Sequence, residues 1–158
     1  MPDKTVKITI LILLLLSTGC STGEIKMTQQ FNGQLAPCPS SPNCVSSLAD
    51  DEEHRVEPFM LMSNNANCWA DIVSLVKALP RTQTIAETPG YLHVEVRSFL
   101  FRFVDNLELV IAQDKQRLDI RSASVTGYSD MGVNRKRVEM LRDLFVEKGL
   151  CKATHKTR

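Results

Sequence analysis

The chain has 158 residues and a mass of 17.7 kDa, which is enough for one domain with a hydrophobic core and leaves little room for a second. Removing residues 1–19, a predicted leader, takes away two lysines and one aspartate. It leaves 17 basic and 17 acidic side chains, a formal net charge of zero. This balance excludes a whole-molecule basic surface of the kind that binds nucleic acid, so no nucleic-acid partner is predicted.

The first 20 residues have the features of a bacterial lipoprotein leader. Lys4 and Lys7 precede a mainly apolar run, residues 8–16, which is too short to cross a bilayer of about 30 Å as a helix. Small residues then lead directly into Cys20, an ending that resembles the lipoprotein processing box, in which the cysteine is acylated. Residues 1–19 are therefore predicted to be the signal peptide and Cys20 the lipidation site. A cleaved secretory signal with an incidental cysteine is the alternative.

The same resemblance predicts a protein of the bacterial cell envelope, anchored to the membrane by lipid and facing the periplasm. Ser21 stands where an aspartate would retain the protein in the inner membrane, so the sequence favours the outer membrane. Residues 20–35 are polar and lack periodicity, which is typical of a tether. Residues 36–151 are predicted to form a single domain, and residues 152–158 a polar tail.

A proline-rich segment, residues 37–47, carries Cys38 and Cys44 with five residues between them. In an exported protein this spacing predicts a small disulfide loop, with thiols or a metal site as alternatives. A metal would need further well-spaced ligands, and His54 is the one nearby histidine. The acidic run at residues 50–53 is predicted to be a solvated loop, with pairing to the basic start of the last helix as the alternative.

Two segments show the apolar spacing of amphipathic helices. One spans residues 64–79, with Trp69 on its apolar face, and Pro80 ends it. The other spans about residues 134–148, with Gly149 as its stop. The two helices therefore lie one before and one after the intervening segment.

Between the helices, in residues 83–125, apolar residues alternate with polar ones, and short turns separate the alternating runs. The second run is predicted to continue, after a bulge near Arg97, through Phe99, Phe101 and Phe103. The predicted fold class is α+β: an antiparallel sheet of about four strands, with an N-terminal and a C-terminal helix packed on one face.

The densest polar chemistry lies where strand-like sequence changes to helix-like sequence, in residues 121–137. Three consecutive cations, residues 135–137, open the last helix, although a helix N-terminus favours acids. Hydroxyl groups, glycine N–H groups and guanidinium groups together predict a site for a phosphate, a carboxylate or a lipid headgroup. The candidate anion-binding residues are Arg121, Ser122, Ser124, Asp130, Asn134, Arg135 and Arg137. In the alternative, Asp105 and Asp130 pair with the arginines and only lock the junction.

Other functions have weaker support in the sequence. No nucleophile elbow, phosphate loop or metal-binding histidine pair is present, so neither catalytic residues nor a cofactor or metal are predicted. An enzyme would have to use Asp105, Asp130 or His93 as acid or base. A structural or protein-interaction lipoprotein, meeting its partner through residues 60–62 or an exposed sheet face, is a third hypothesis.

Three motifs in this chain resemble those of a known family. They are Cys-Pro-x-Ser-Pro-Asn-Cys-Val-Ser-Ser (Cys38–Ser47), Arg-Phe-Val-Asp (Arg102–Asp105) and the long polar segment Arg121–Arg137. Together, over roughly residues 35–149, they resemble the bacterial and plant domain-of-unknown-function family numbered 1499. The resemblance implies no activity, because the family has none assigned. Asn106 stands where a second acid is expected and Val125 where an arginine is expected, so chemistry that needs either would be incomplete here.

The family pattern also bears on the cysteines. Cys38 and Cys44 lie inside a shared motif, whereas Cys68 and Cys151 lie outside it, near helix ends. Four cysteines allow three connectivities. Bridges between Cys38 and Cys44 and between Cys68 and Cys151 are favoured, because two packed helices could bring the second pair within the roughly 4.4–6.8 Å Cα separation that a disulfide requires.

Overall fold

Six strands and two helices make up the described part of the chain, which in this computed structural model comprises residues 35–62, 66–114 and 116–153. In chain order they are β1 (Cys44–Ser46), β2 (Phe59–Met60), α1 (Ala66–Lys77), β3 (Thr82–Thr88), β4 (Tyr91–Arg97), β5 (Val104–Ile111), β6 (Arg117–Ser124) and α2 (Val133–Glu147). The predicted signal peptide, Cys20 and all of the predicted tether except Leu35 lie outside the described residues.

All six strands belong to one antiparallel sheet, in the order β1-β6-β5-β4-β3, with β2 also pairing with β6. The mixed architecture and the antiparallel sheet are confirmed, but the prediction of about four strands was wrong. The two additional strands, β1 and β2, are three and two residues long. Segments this short cannot display the alternation by which a strand is recognised in a sequence.

The core forms between the helices and the apolar side chains of the central strands. Alternation along the strands buries every second residue, as in Leu107 and Leu109 of β5, which are fully buried. Both helices contribute side chains to the same cluster as the sheet. The members with no exposed surface are Ile72 and Val76 of α1, Leu92 and Val94 of β4, Leu107 and Leu109 of β5, Leu118 and Ile120 of β6, and Val138, Leu141 and Phe145 of α2.

The predicted continuation of the second strand run through three phenylalanines was wrong. Strand β4 ends at Arg97, which pairs with Val104 at the start of β5, so the chain reverses between them. The Ser98 amide donates to the Phe103 carbonyl oxygen at 2.8 Å and closes the loop. Phe99, Phe101 and Phe103 are therefore exposed loop residues. The alternation of apolar residues continues in the sequence although the ladder of backbone hydrogen bonds has ended.

One of the two predicted disulfides is confirmed. Cys38 and Cys44 are bonded, with their Cα atoms 5.6 Å apart. The second predicted bridge is absent from the structure, in which Cys68 and Cys151 are buried thiols. The Cys68 thiol donates to the Leu150 carbonyl oxygen at 3.9 Å. Both side chains belong to the hydrophobic core, where a thiol packs as a small apolar group.

The ends of the described chain are tied into the domain. Leu35, at the end of the predicted tether, is buried, and the Lys152 amide donates to the Met60 carbonyl oxygen at 2.8 Å. Cys151 also forms a backbone bridge with Leu61. Within the described residues, no helix combines the length and the apolar character needed to span a bilayer.

Candidate functional site: a buried polar network beneath two exposed loops

Residues from distant parts of the chain meet in one buried polar network where β6 leads into α2. At its centre, the Arg137 guanidinium donates to Asp105 Oδ2 (2.6 Å), Ser122 Oγ (2.9 Å) and Asn134 Oδ1 (2.7 Å). Only 10 % of the Arg137 side chain and 5 % of the Asp105 side chain are exposed, so little solvent weakens their attraction. The Ser124 hydroxyl donates to the other Asp105 oxygen at 2.6 Å. Both oxygens of the carboxylate are therefore engaged.

Asn134 connects this network to the disulfide loop, residues 38–44. Its side-chain amide donates to the Asn43 carbonyl oxygen and to Ser124 Oγ, both at 3.1 Å. The Asn43 side chain donates to the carbonyl oxygen of Gly127, in the loop after β6. The three motifs singled out in the sequence thus form one hydrogen-bonded unit, which we call the junction network.

The cationic start of α2 has a compensating acid one turn earlier. Asp130 Oδ1 accepts from the Gly132 amide at 2.9 Å, and Oδ2 accepts from the Asn134 amide at 2.7 Å. This carboxylate satisfies N–H groups that a helix start leaves unpaired, and it supplies the negative charge that the helix dipole favours. Asp130, two residues before the N-cap Gly132, therefore serves the start of the helix from outside it.

Two other arginines of α2 hold the segment of residues 53–58 by its backbone. Arg135 donates to two of its carbonyl oxygens, at 2.7 and 2.6 Å, and Arg142 donates to two more. The four accepting carbonyl groups are those of Glu53, Arg55, Glu57 and Pro58. Of the acidic run at residues 50–53, Glu53 contacts the start of α2, and it does so through its carbonyl oxygen instead of the charge pairing that was the predicted alternative. We call the side chains of Arg135 and Arg142 the arginine clamp.

The structure brings some of the predicted anion-binding residues together and separates others. Ser122, Ser124, Asn134 and Arg137 meet in the junction network. Arg121 lies on the other face of β6, because successive strand residues point to opposite sides, and it donates to Glu108 at 3.0 Å. Asp130 and Arg135 bond backbone groups. Because each predicted residue has a partner within the protein, the geometry favours the alternative in which they lock the junction. Asp105 does so by pairing with Arg137, as predicted, whereas Asp130 bonds backbone N–H groups and not an arginine.

The residues considered as acids or bases are also engaged. Asp105 is paired with Arg137, and Asp130 bonds backbone N–H groups at the start of α2. His93 Nε2 lies 2.9 Å from Asn106 Oδ1 on the neighbouring strand. Within residues 35–62, 66–114 and 116–153, no group of three or more histidine, cysteine or acidic side chains is placed to hold a metal ion.

A second histidine, His54, is buried beside the acidic segment. Its Nδ1 lies 2.7 Å from Asp51 Oδ1, and its Nε2 lies 3.2 Å from the Ser41 carbonyl oxygen. Burial by itself would lower the pKa of His54, but the hydrogen bonds to Ser41 and Asp51, with the charges of Asp51 and Glu53, raise that pKa above its ordinary value. The His54 backbone amide and ring in turn hold the pKa of Asp51 below its ordinary value.

Directly above the junction network, two loops expose an unusual amount of apolar surface. They are residues 98–103, between β4 and β5, and residues 125–133, from the end of β6 into the start of α2; we call them the loop pair. Of thirteen large apolar or aromatic side chains exposed in the described chain, eight belong to the loop pair. These are Phe99, Leu100, Phe101, Phe103, Val125, Tyr128, Met131 and Val133. Their concentration at one end of the sheet makes the loop pair a candidate interaction surface.

The two loops are neighbours because the strands that carry them are paired. The Val125 amide donates to the Val104 carbonyl oxygen at 2.9 Å, and Asp105 pairs with Ser124. In the first loop the Phe101 and Phe103 rings lie 5.7 Å apart. The loop pair is therefore one continuous end of the molecule, attached at its base to the junction network.

Backbone strain is concentrated at this same end. Three residues other than glycine have left-handed backbone in the described part of the chain: Arg81 (φ 58°), Arg102 (φ 55°) and Met131 (φ 54°). Arg102 and Met131 belong to the loop pair. Arg81 exchanges two hydrogen bonds with Arg97, the last residue of β4, which directly precedes the first loop. Each such residue costs on the order of 1 kcal/mol, and such costs cluster at functional positions.

The charges at this end are mainly positive. Arg81, Arg102 and Lys136 are exposed, and the Arg81 guanidinium lies 5.6 Å from the centre of the Phe99 ring. The carboxylates that β4 and β5 place here already have partners, since Glu95 bonds Arg97 at 2.8 Å and Asp105 bonds Arg137. The apolar loop tips are thus accompanied by three exposed cations: Arg102 within the loop pair, Arg81 against Phe99, and Lys136 at the start of α2. The acid of the loop pair, Asp130, is bonded to the backbone N–H groups of Gly132 and Asn134.

Sequence reasoning missed the loop pair because it treated the phenylalanines as core. The available signal was the change in the parity of apolar residues between Val96 and Phe99, which was interpreted as a bulge within one strand. A parity change beside a serine and an arginine is equally typical of a strand end. The junction network could not be found in this way, because its partners are as much as 91 residues apart.

Comparison with known proteins agrees with the motif analysis. The model of a family described as a protein of unknown function, DUF1499, matches residues 34–145. No curated protein and no solved structure matches the chain. The matched range includes every residue of the junction network and the whole of the loop pair.

Proposed function

We propose a function for this chain, which belongs to the DUF1499 family of proteins of unknown function. It is a lipoprotein of the bacterial cell envelope, anchored through acylated Cys20. Its domain is a non-catalytic binding module. The loop pair is its binding surface. The observation that carries the proposal is the concentration of eight of thirteen exposed apolar side chains in these two adjacent loops.

The junction network supports a binding role rather than a catalytic one. Its carboxylate, hydroxyls and guanidinium bond one another, so they supply rigidity at the base of the loops instead of reactive groups. A rigid base reduces the entropy lost when the loops meet a partner. The network thus acts as the support of the binding surface.

The proposed binding surface differs from the predicted anion site. The predicted residues hold the loops in place, and the exposed cations that remain for an anionic partner are Arg81, Arg102 and Lys136. The alternative of a structural lipoprotein that uses residues 60–62 has smaller support, because Met60 and Met62 are exposed but Leu61 between them is buried.

A photo-crosslinking amino acid at position 101 tests the proposal in intact cells. We expect irradiation to join the full chain to a specific lipid or protein of the envelope, because the Phe101 side chain is 71 % exposed at the loop tip. Mass analysis of the adduct would identify the partner class.

The matched control carries the same amino acid at position 140, where Met140 is exposed on α2 outside the loop pair, about two helical turns beyond Val133. Equal labelling at both positions, or none at position 101, would contradict the proposal.

The lipid anchor is tested separately by Cys20→Ser. The altered chain is expected to keep its leader and to lose its acyl chains, as measured by intact mass. A chain that is processed normally would instead indicate an ordinary secretory signal.

A further inference from the structure

From the composition of the loop pair, we infer that its partner is the surface of an anionic lipid bilayer, into which the aromatic tips insert while the neighbouring cations meet lipid phosphates. This inference rests on the proposed function, because it names the partner of the same binding surface. It adds that the domain itself touches the membrane, independently of any lipid anchor.

The shape of the first loop favours a bilayer over a pocketed protein partner. Its four apolar side chains, at positions 99, 100, 101 and 103, are each 56–81 % exposed, so they project instead of lining a groove. Projecting phenylalanine and leucine side chains suit the boundary between headgroups and acyl chains, where apolar groups become buried without needing a complementary surface.

The position of Arg102 is the second argument. It lies between Phe101 and Phe103, and its side chain is exposed. Against an apolar protein surface this cation would lose its hydration without a partner. In a bilayer interface the long side chain can keep its guanidinium at phosphate level while the flanking rings enter the apolar layer.

Charge complementarity provides the third argument. Arg81 and Lys136 are both exposed; Arg81 stacks on the Phe99 ring, and Lys136 lies in the first turn of α2, three residues after Val133. The Glu95 and Asp105 carboxylates, which would repel lipid phosphates, are neutralised by Arg97 and Arg137. Asp130, the acid of the loop pair, has both oxygens bonded to backbone N–H groups at the start of α2. Anionic membrane surfaces attract such clusters of basic side chains within about a Debye length.

The predicted tether between the lipid anchor and the domain is long enough to permit this contact. Fourteen residues separate Cys20 from Leu35, the first described residue, and fully extended they reach about 50 Å. A domain held within that distance of a bilayer can bring one of its ends to the surface of the same membrane.

The test measures how deeply position 101 enters vesicles that carry the full chain. The chain with Phe101→Trp is reconstituted into phosphatidylglycerol vesicles whose acyl chains are brominated, and its fluorescence is compared with that of the parent chain, which has one tryptophan. The difference between the two chains is the emission of the introduced tryptophan. We expect brominated acyl chains to lower this emission about twofold or more, since bromine quenches only at contact and the inserted tip lies at acyl-chain depth.

The chain with Met140→Trp is the matched control, and its added fluorescence is expected to be unaffected by bromine. A chain with Arg81→Gln, Arg102→Gln and Lys136→Gln in addition to Phe101→Trp is expected to show weaker quenching. Similar quenching at positions 101 and 140 would overturn the inference. Unchanged quenching in purely zwitterionic vesicles would overturn its anionic part.

Failure of the bilayer inference can be distinguished from failure of the proposed function. If position 101 is not quenched in vesicles but crosslinks to one envelope protein in cells, the bilayer inference is wrong and the binding surface stands. If position 101 neither enters vesicles nor crosslinks in cells, both are wrong.

Discussion

At the scale of single residues, His54 shows how a buried titratable group can tie a loop to the domain. Its ring bridges Asp51 and the Ser41 carbonyl oxygen, on either side of β1. These bonds raise its pKa above the ordinary value despite burial, so the charged form is favoured by folding. The resulting stabilisation is complete below the unfolded-state pKa of about 6.5 and is lost as the pH rises through the folded-state pKa.

We therefore predict that His54→Gln lowers the free energy of unfolding more at pH 5.5 than at pH 8.5. Urea unfolding of both chains at the two pH values would measure this difference. Asp51 stays ionised over the whole window, because its pKa is already held low. A cost of substitution that is larger at pH 8.5 would contradict the assigned direction.

Cys151 provides a second prediction at this scale. Burial first, and then the neighbouring Cys68 thiol, raise the pKa of Cys151 to about 12, so it is un-ionised at neutral pH. Because the thiolate is the reactive form, iodoacetamide is expected to modify Cys151 only after unfolding. Peptide mass analysis without reductant is the measurement. A peptide in which Cys151 is linked to Cys68 would restore the predicted second disulfide.

At the scale of elements, the arginine clamp explains how an irregular segment stays in place. The regular strand pairing of residues 53–58 is limited to one isolated β-bridge, between Arg55 and Ser46. Arg135 and Arg142 nevertheless donate hydrogen bonds to four of the segment's carbonyl oxygens. Arg142 is also stacked on the Phe59 ring, 4.6 Å from its centre. Two guanidinium groups, seven residues apart on α2, therefore substitute for a regular backbone ladder.

Removing either guanidinium is expected to destabilise the domain. Each hydrogen bond contributes about 0.5–1.5 kcal/mol, so losing the two bonds of Arg135 in Arg135→Ala should cost about 1–3 kcal/mol, and buried Arg142→Ala should cost more. Hydrogen exchange at residues 53–58 should accelerate in both chains. Lys136→Ala is the control. Because this lysine is exposed beside Arg135, its substitution should change neither the free energy of unfolding nor the hydrogen exchange of residues 53–58. An Arg135→Ala chain of normal stability would return this residue to the set of candidate ligand-binding groups.

What the sequence could predict at this scale depended on the length of each element. The helices and the strands β4, β5 and β6 are long enough for periodicity to reveal them, and Pro80 and Gly149 mark the helix ends. Strands β1 and β2 are held by pairing with β6, which no local pattern records. The end of β4 is fixed by its partner strand, so the sequence alone extended it into a loop.

The candidate site shows the same limit. Strand alternation alone indicates that Arg121 cannot share a face with Ser122 and Ser124, so their separation was predictable. By contrast, the contact of Asn134 with Asn43 joins residues 91 positions apart. Long-range hydrogen bonds decide whether an arginine serves the fold or a ligand, and composition cannot distinguish these roles.

For the whole molecule, the structure separates the residues that stabilise the domain from those that face outward at its loop end. The junction network joins all three motifs beneath the loop pair. The eight apolar side chains above it gain little from the fold, because they remain exposed. Substitutions of the exposed loop-pair side chains are therefore expected to leave the junction network intact.

The measurement that tests this division most directly is the free energy of unfolding of two altered chains in one urea series. Asp105→Asn leaves Arg137 buried without its charge partner and is expected to cost about 3–5 kcal/mol. Phe99→Ser with Phe101→Ser removes two exposed rings and should stay within about 0.5 kcal/mol of the parent. If the phenylalanine substitutions cost as much as Asp105→Asn, the rings stabilise the fold, and the loop pair is not a surface held free for a partner.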